Sequence, residues 1–229
     1  MRRLIVDAFV RAIGWLRRRR RVAPSGAVVK VNLGSALLVA DGWINVDASV
    51  NALLGGAPRP VLGILYRWTG SRELFSREEY VRILRSHRFV HHDFRFGLPF
   101  GDNAVDYVYS SHLLEHLHRD DAVRLLRDVH RILKPGGVAR ICVPDLSHAL
   151  ALYSAGSKEA SLEYFFSPSR AGALNRHQYM YDADLLTKAL RDGGFSDVAR
   201  RKFQEGDVPD LVELDNRPEE TLYMEARRR

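Results

Sequence analysis

Two carboxylates in this chain follow short apolar segments that have the length and β-branched content of buried strands. Asp47 ends the segment WINVD, and Asp93 ends the segment FVHHD. An open α/β sheet binds its ligands beyond the carboxyl ends of its strands, where an acidic residue can accept hydrogen bonds from ribose hydroxyls. Gly34 and Ser35 follow an earlier predicted strand, residues 28–33, and allow a ligand to approach the backbone. These residues predict the nucleoside half of a cofactor site.

A third group of polar residues, His112-Leu-Leu-Glu115-His116, matches the H-x-x-E-H motif of zinc hydrolases. On a helix the two histidines would share a face as zinc ligands, with Glu115 as the base. A catalytic zinc needs a third protein ligand, and this motif begins at a predicted helix N-terminus, where the helix dipole disfavours a cation. The sequence therefore predicts no metal site and leaves zinc hydrolysis as a remote alternative.

Three residues are candidates for a general base. His112 follows the fourth predicted strand, Asp145 follows the fifth, and His177 lies in the segment Arg-His-Gln-Tyr. Imidazole is the natural base near neutral pH because its unperturbed pKa is about 6.5. Two of the candidates also have a structural alternative. Asp145 could cap a helix that begins near Leu146, and His177 could fix the conformation of its loop.

Strand-like and helical segments alternate along most of the chain, which is typical of a doubly wound α/β sheet. An amphipathic helix is predicted over residues 119–133, and a Lys-Pro-Gly-Gly turn follows it. Strands are predicted at residues 28–33, 43–46, 89–93, 104–110 and 138–143, with a closing antiparallel pair at 197–203 and 221–226. The chain of 229 residues suits one domain, which we place at 23–229.

The segment 49–88 is longer than the single crossover helix that an α/β unit requires. It contains helical patterns near 61–68 and 77–84, and Ser76 with Glu79 forms a capping-box signature before the second pattern. Insertions at the ligand edge commonly form lids or substrate walls. We therefore expect this segment to take part in acceptor selection.

Residues 1–22 form a separate basic amphipathic helix in this interpretation. The first 21 residues hold eight arginines and one acid, which accounts for a charge equal to the net +7 of the whole chain. Such a helix suits an anionic membrane surface or a partner protein, and the alternative is that it packs on its own domain over the cofactor cleft. Its apolar stripe consists of Leu4, Ile5, Phe9, Ala12, Ile13 and Leu16.

Composition limits the remaining functions. Residues 22–226 are slightly acidic, so the basic charge at the termini does not indicate a nucleic-acid partner. One cysteine, Cys142, excludes an intramolecular disulfide and suits a reducing compartment. We see no apolar run of membrane-spanning length and no secretory signal with a cleavage site. The predicted location is the cytoplasm, with peripheral membrane contact through residues 1–21 as an option.

Five segments of the chain carry a combined pattern: VNLGS (31–35), GWINVD (42–47), LPFGDNAVDYVYSSHLLEHL (98–117), LLRDVHRILKPGG (125–137) and VPDL (143–146). The LKPGG turn and the strand exit DYVYSSHLLEH are each of modest specificity, but their combination is specific. On these residues the chain resembles the class I S-adenosylmethionine-dependent methyltransferases, specifically their type-11-like branch. The resemblance implies a Rossmann-like seven-stranded sheet, mostly parallel with an antiparallel last strand, and S-adenosyl-L-methionine as cofactor.

Site residues follow from the resemblance position by position. Asp47 would bind the ribose, Asp93 the adenine amino group, and Gly34 the methionine part. The full set of expected cofactor-binding residues is Asn32, Gly34, Ser35, Asp47, Asp93, Ser110 and Ser111, of which the last two would lie near the sulfonium. Ala36 departs from the pattern, because relatives usually carry another glycine there. This departure leaves a non-catalytic cofactor-binding or scaffold protein as the alternative.

Methyl transfer from a sulfonium is an in-line displacement, so the enzyme mainly positions the acceptor and removes its proton. The resemblance favours O-methylation of a glycan, or next a small molecule, as the reaction. His112 is then expected to face the reacting centre, with Glu115 or His116 orienting its loop.

Overall fold

The computed structural model describes residues 2–68, 70–166 and 176–229, and residues 2–9 and Trp68 through their backbone alone. Its helices are α1 (Arg2–Arg17), α2 (Val50–Leu53), α3 (Arg59–Leu65), α4 (Arg77–Ser86), α5 (Arg119–Ile132), α6 (Leu146–Ser154), α7 (Lys158–Phe165), α8 (Ala183–Asp192) and α9 (Leu211–Leu214). Its strands are β1 (Lys30–Leu33), β2 (Trp43–Asp47), β3 (Arg88–His91), β4 (Val105–Ser111), β5 (Leu133–Pro144), β6 (Asp197–Arg201) and β7 (Thr221–Arg227).

The described strands form one seven-stranded sheet in the order β3-β2-β1-β4-β5-β7-β6. The pairs from β3 to β5 are parallel, and β7 runs antiparallel to both β5 and β6. The strand order reverses between β1 and β4, so the crevice beyond their carboxyl ends is the place where an open α/β sheet binds ligands. The predicted Rossmann-like sheet with an antiparallel last strand is confirmed.

Helix α5 shows how the sequence pattern produces the packing of this sheet. Its apolar residues recur at helical spacing, and the buried ones form a single stripe: Ala122, Leu125, Leu126, Val129 and Ile132. They join the main hydrophobic core with residues from β1, β2 and β4. Full burial of one aliphatic side chain contributes roughly 1.5–3 kcal/mol, so this face holds the helix on the sheet. The helix matches the predicted span 119–133 to within one residue.

A buried ion pair fixes the opposite end of the sheet. Arg140 on β5 is fully buried and donates to both carboxylate oxygens of Asp215, at 3.2 and 2.5 Å. It also lies 3.4 Å from Glu225 on β7 and donates to the backbone carbonyls of Lys202 and Glu205. Removing one partner of such a pair leaves an uncompensated buried charge. Arg140 therefore anchors the chain between β6 and β7 and takes no part in the ligand edge.

The segment 49–88 forms α2, α3 and α4 around a hydrophobic cluster of its own. The cluster centres on Leu62, Tyr80 and Leu84, and it also holds Leu37 from the loop after β1. The predicted capping box is present, because Ser76 accepts from the Glu79 amide and the Glu79 carboxylate accepts from the Ser76 amide. The insertion thus supports the loop between β1 and β2 from one side.

Several strands begin or end differently from the sequence expectation. The largest difference is in β5, which begins at Leu133 rather than at residue 138 and so includes the predicted Lys-Pro-Gly-Gly turn. β1 starts at Lys30, because Val28 is solvent-exposed and the Val29 amide donates to the Asp106 side chain. β3 ends at His91, and Asp93 instead caps a 3₁₀ turn, Phe94–Phe96. No helix among the described residues is long and apolar enough to cross a bilayer.

Candidate functional site

Buried polar atoms without a hydrogen-bond partner gather at one edge of the molecule. Within the described part of the chain, such atoms occur on Ser35, Ser49, His91, Ser110, Glu115 and Tyr181. All of these residues except Tyr181 lie at or just beyond the carboxyl end of a strand. Tyr181 forms an isolated β-bridge with Asp145, which follows the end of β5. Buried polar groups in proteins are normally satisfied, so an unsatisfied set at one place indicates a ligand site. The edge coincides with the predicted site.

Asp47 is positioned at this edge by the end of β2. It is buried, and its Oδ2 accepts from the Ala36 amide at 2.9 Å while its Oδ1 accepts from the Ser49 amide at 2.6 Å. Each carboxylate oxygen has a second lone pair, which is available to a hydroxyl donor. Asp47 is thus held in place by backbone amides and can receive the ribose hydroxyls of a nucleoside, as the sequence predicts.

The loop after β1 approaches the β4 exit closely. Gly34 has φ +68°, and a Cβ added there would lie 3.0 Å from the Cβ of Leu113. Ala36 also has a positive φ, +45°, although it carries a side chain. The left-handed conformation costs an L-residue roughly 1–2 kcal/mol, so the loop is strained at Ala36, where the resemblance predicts glycine.

Three further predicted cofactor residues lie on the central strands. Asn32 is buried and donates to the Leu38 carbonyl at 2.8 Å and to Asn45 at 3.2 Å, so its side chain shapes the loop from behind. Ser110 lies opposite Leu33 in the β1–β4 register, and its buried hydroxyl has no partner. Ser111 ends β4 directly beside it.

Asp93 lies beneath the N-terminal helix. Its carboxylate accepts from the backbone amide of Arg95 at 3.0 Å and from the Arg95 side chain at 2.5–3.1 Å. Burial alone would raise the pKa of Asp93, but these hydrogen bonds outweigh it and lower the pKa below its ordinary value. Gly14 of α1 packs on this residue, since a Cβ added to Gly14 would lie 3.0 Å from the Asp93 Cβ. Helix α1 therefore covers the adenine end of the predicted site.

His112 occupies a strained position immediately after β4. Its φ is +51°, and its backbone amide donates to the Cys142 carbonyl on β5. The imidazole is held on both sides, because Nδ1 lies 3.2 Å from Glu115 Oε1 and Nε2 lies 3.1 Å from the Thr221 hydroxyl. Strained backbone conformations that the surrounding structure imposes concentrate at functional sites. Thr221 begins β7, and no local signal in the sequence indicated its contact with His112.

His177 and His116 meet on the same side of the edge. Their ring centroids are 5.0 Å apart, and both lie near the buried carboxylate of Glu115. The backbone amide of Gln178 donates to the Glu115 carbonyl at 2.6 Å. The structure thus brings the segment with His177 to the β4 exit, although His177 lies 61 positions after His116 in the chain.

The remaining predicted base, Asp145, caps a helix. It is the N-cap of α6, its Oδ1 accepts from the Ser147 amide at 2.9 Å, and its Oδ2 lies 3.3 Å from Arg200. The structural alternative for Asp145 is therefore confirmed.

The zinc-hydrolase geometry is absent from the motif at residues 112–116. Leu114–His116 form a 3₁₀ turn, and His112 lies before that turn with a positive φ. His112 and His116 therefore do not share a helix face, which corrects the geometry on which that alternative depended. β3 and β4 are separated by β2 and β1, so His91 is on a distant strand.

The profile of a methyltransferase domain matches residues 70–141 of the chain. A protein of Mycobacterium tuberculosis described as a "Probable S-adenosylmethionine-dependent methyltransferase" is 28% identical over 166 residues, which cover 72% of this chain and 50% of that protein. A demethylmenaquinone methyltransferase of Staphylococcus epidermidis is 28% identical over 136 residues, covering 54% of this chain and 53% of that one. The chain thus spans about half the length of the curated relatives it matches.

Among solved structures, a SAM-dependent methyltransferase of Thermotoga maritima superimposes with a TM-score of 0.51 at 17% identity, covering 96% of this chain and 92% of that one. This similarity concerns the fold. The buried acid at the end of β2, the tight Gly34 loop and the unpartnered hydroxyls at the sheet edge fit a nucleoside cofactor. Together with the domain match over residues 70–141 and the similarity to S-adenosylmethionine-dependent methyltransferases, they indicate that the chain carries a methyltransferase domain whose site fits S-adenosylmethionine.

Proposed function

We propose that this protein methylates a hydroxyl group of a glycan or of another small acceptor, with His112 as the general base. The observation that carries the proposal is the fixed imidazole of His112, which lies between the Glu115 carboxylate and the Thr221 hydroxyl directly after Ser110 and Ser111. The Thr221 hydroxyl lies 3.1 Å from Nε2, so an acceptor hydroxyl would have to replace it to donate to the same nitrogen.

S-adenosylmethionine supplies a methyl group on a positively charged sulfur. The residues of the chain position the cofactor and the acceptor and remove the acceptor proton. Asp47 would hold the ribose hydroxyls, and the backbone of the loop at Gly34 would lie beside the methionine part. His112 takes the acceptor proton on Nε2, while Glu115 beside Nδ1 holds the ring orientation and stabilises the resulting imidazolium. A base placed in this way contributes roughly 10²–10⁴-fold to the rate.

Two measurements test this proposal in sequence. Calorimetry with S-adenosylhomocysteine should show one site per chain, and a panel of sugars and phenols should then show methyl transfer to oxygen by mass spectrometry. Binding without turnover of any acceptor would favour the non-catalytic cofactor-binding alternative, which the strain at Ala36 supports. Absence of cofactor binding would favour a scaffold. Methylation at nitrogen or carbon would contradict the hydroxyl acceptor.

We further propose that the outward face of α1 contacts an anionic membrane surface. Trp15 and Leu16 are 55% and 67% exposed, and the exposed arginines of the run 17–21 lie beside them. Surface binding needs this combination of apolar insertion and attraction to anionic headgroups. The side chains of Leu4, Ile5 and Phe9 lie outside the described residues. Val10 and Gly14 face the domain, so the helix has an inner and an outer face.

Sedimentation with vesicles that contain anionic lipid tests the outer face. Replacing Trp15 and Leu16 with serine should release the protein from the vesicles, and high salt should weaken binding because it screens the arginines. The matched control is Leu74→Ser, which removes an 81%-exposed apolar side chain from another surface. Equal loss of binding in the control, or no binding by the full chain, would contradict the membrane contact.

A further inference from the structure

The pair of histidines beside Glu115 has a feature that the methyl-transfer proposal does not use. One donor atom from each of Glu115, His116 and His177 lies within 4.8 Å of the others. Two imidazole nitrogens and one carboxylate oxygen are the donor set of many open transition-metal sites in proteins. His112 is not needed for this set, because its own two nitrogens face Glu115 and Thr221.

Backbone contacts orient both imidazoles for such a role. Nδ1 of His116 lies 3.3 Å from the Arg176 carbonyl, and Nδ1 of His177 lies 2.5 Å from the Tyr164 carbonyl. A carbonyl accepts hydrogen bonds, so the proton of each neutral ring is on Nδ1 and the lone pair is on Nε2. Metal-bound histidines almost always donate their second nitrogen to a carbonyl or carboxylate in this way.

The carboxylate of Glu115 gives a second observation, separate from the geometry of the histidines, that points to a bound cation. Its side chain is 1% exposed, and neither oxygen accepts a hydrogen bond. Two imidazole nitrogens lie near it: Nδ1 of His112 at 3.2 Å, which makes no hydrogen bond to it, and Nε2 of His116 at 3.9 Å, which is beyond hydrogen-bond distance. A buried carboxylate that accepts no hydrogen bond is costly, and a cation among these groups would reduce that cost.

We infer that Glu115, His116 and His177 form a binding site for a divalent transition metal such as Zn²⁺, with an open fourth position. Tetrahedral ligands at 2.0–2.2 Å from the ion lie about 3.3 Å apart, so the site closes by small rotations of the two rings. The ion would join the β4 exit to the segment 176–179, which the Gln178 amide already links to Glu115. The site thus differs from the hydrolase motif in its ligands and in having residues from two distant segments.

Metal titration of chelator-treated full-length protein tests the inference without any methyl transfer. Zn²⁺ should bind with one ion per chain by calorimetry and by elemental analysis after desalting, and it should raise the melting temperature. Co²⁺ in the same site should give the visible absorption of a four-coordinate ion. His177→Ala and His116→Ala should each lower the Zn²⁺ affinity at least 10-fold.

The matched control is His118→Ala, which removes an exposed imidazole two residues from the site. Binding that is absent in the wild type, or that His118→Ala weakens as much as His177→Ala does, would overturn the inference. If His116→Ala does not fold, the Co²⁺ spectrum of the wild type against His177→Ala decides. Each readout is independent of cofactor binding and turnover, so failure of the proposed reaction leaves this test intact.

Discussion

The ligand edge has two halves, which we assign to the cofactor and to the acceptor under the proposed function, and the two are built by different means. In the cofactor half, Asp47 and Asp93 are partnered by residues that lie 2 to 11 positions away in the sequence. In the acceptor half, His112 contacts a residue 109 positions away and His116 contacts one 60 positions away. The first half is thus assembled by local turns, and the second by distant segments that meet when the sheet forms.

The halves also differ in how completely their charged groups are satisfied. Both oxygens of Asp47 accept hydrogen bonds from backbone amides, which fix the carboxylate in a position to bind uncharged hydroxyl groups. Glu115 is equally buried but has imidazoles around it and no hydrogen bond. A preformed carboxylate suits recognition of hydroxyls, whereas an unsatisfied one suits the stabilisation of a positive charge. The comparison predicts that changes in the two halves affect different measurements.

Among these variants, His112→Asn is expected to show the largest difference between its effect on turnover and its effect on cofactor affinity. Asparagine tolerates the left-handed backbone at this position, so the fold should persist while the base is lost. The turnover number should fall by roughly 10²–10⁴-fold. Affinity for S-adenosylhomocysteine, measured by calorimetry, should be unchanged. The control is His118→Asn, outside the edge, and a variant that binds the cofactor poorly would show that the two halves are not separate.

Asp47→Asn is expected to act on the cofactor half. Asparagine keeps the shape of the side chain but replaces one acceptor oxygen with a donor, which opposes the amide of Ala36 or a ribose hydroxyl. The affinity for S-adenosylhomocysteine should fall by about 1–3 kcal/mol, or roughly 5- to 150-fold. Asp41→Asn is the matched control, because the side chain of Asp41 is 97% exposed. Unchanged affinity in folded Asp47→Asn protein would contradict the ribose assignment.

The cofactor half should also contribute to acid sensitivity through His91 and His92. Burial lowers the pKa of both imidazoles below the ordinary value of about 6.5. The unfolded chain therefore binds more protons than the folded one, so stability is retained above that pH and lost as the pH falls through it. Melting curves recorded from pH 8 to pH 5 should show this loss of stability as a falling melting temperature. His92→Gln, which keeps a donor for the Gly97 carbonyl, should reduce it; an unchanged slope would contradict this origin.

The smallest effect is expected for Ala36→Gly. Glycine adopts a positive φ without steric cost, so the substitution should stabilise the fold by up to about 1 kcal/mol. Ala151→Gly is the opposite control, since it places glycine in the exposed middle of α6 and should destabilise by roughly 0.5–1 kcal/mol. Denaturant unfolding of the two variants gives the comparison. Destabilisation in both would show that the loop after β1 is not strained.

Periodicity and turn signals predicted most of the architecture. The apolar stripe of α5, the capping box of α4 and the alternation of strands with helices led to the observed sheet. Helix α7 was not predicted, because its apolar residues do not form one clear stripe and its buried residue is Ser161, which donates to the Ala149 carbonyl on α6. Its position depends on packing against a neighbouring helix.

The sequence by itself determined the cofactor half of the edge, because Gly34 and Asp47 are fixed by adjacent strands and turns whose patterns are local. The tertiary structure decided the acceptor half. It placed Thr221 against His112 and His177 against His116, and it assigned Asp145 to a helix cap. It also laid Gly14 of α1 on Asp93. These contacts join segments far apart in the chain, and their pairing depends on sheet order and burial rather than on any pattern of neighbouring residues.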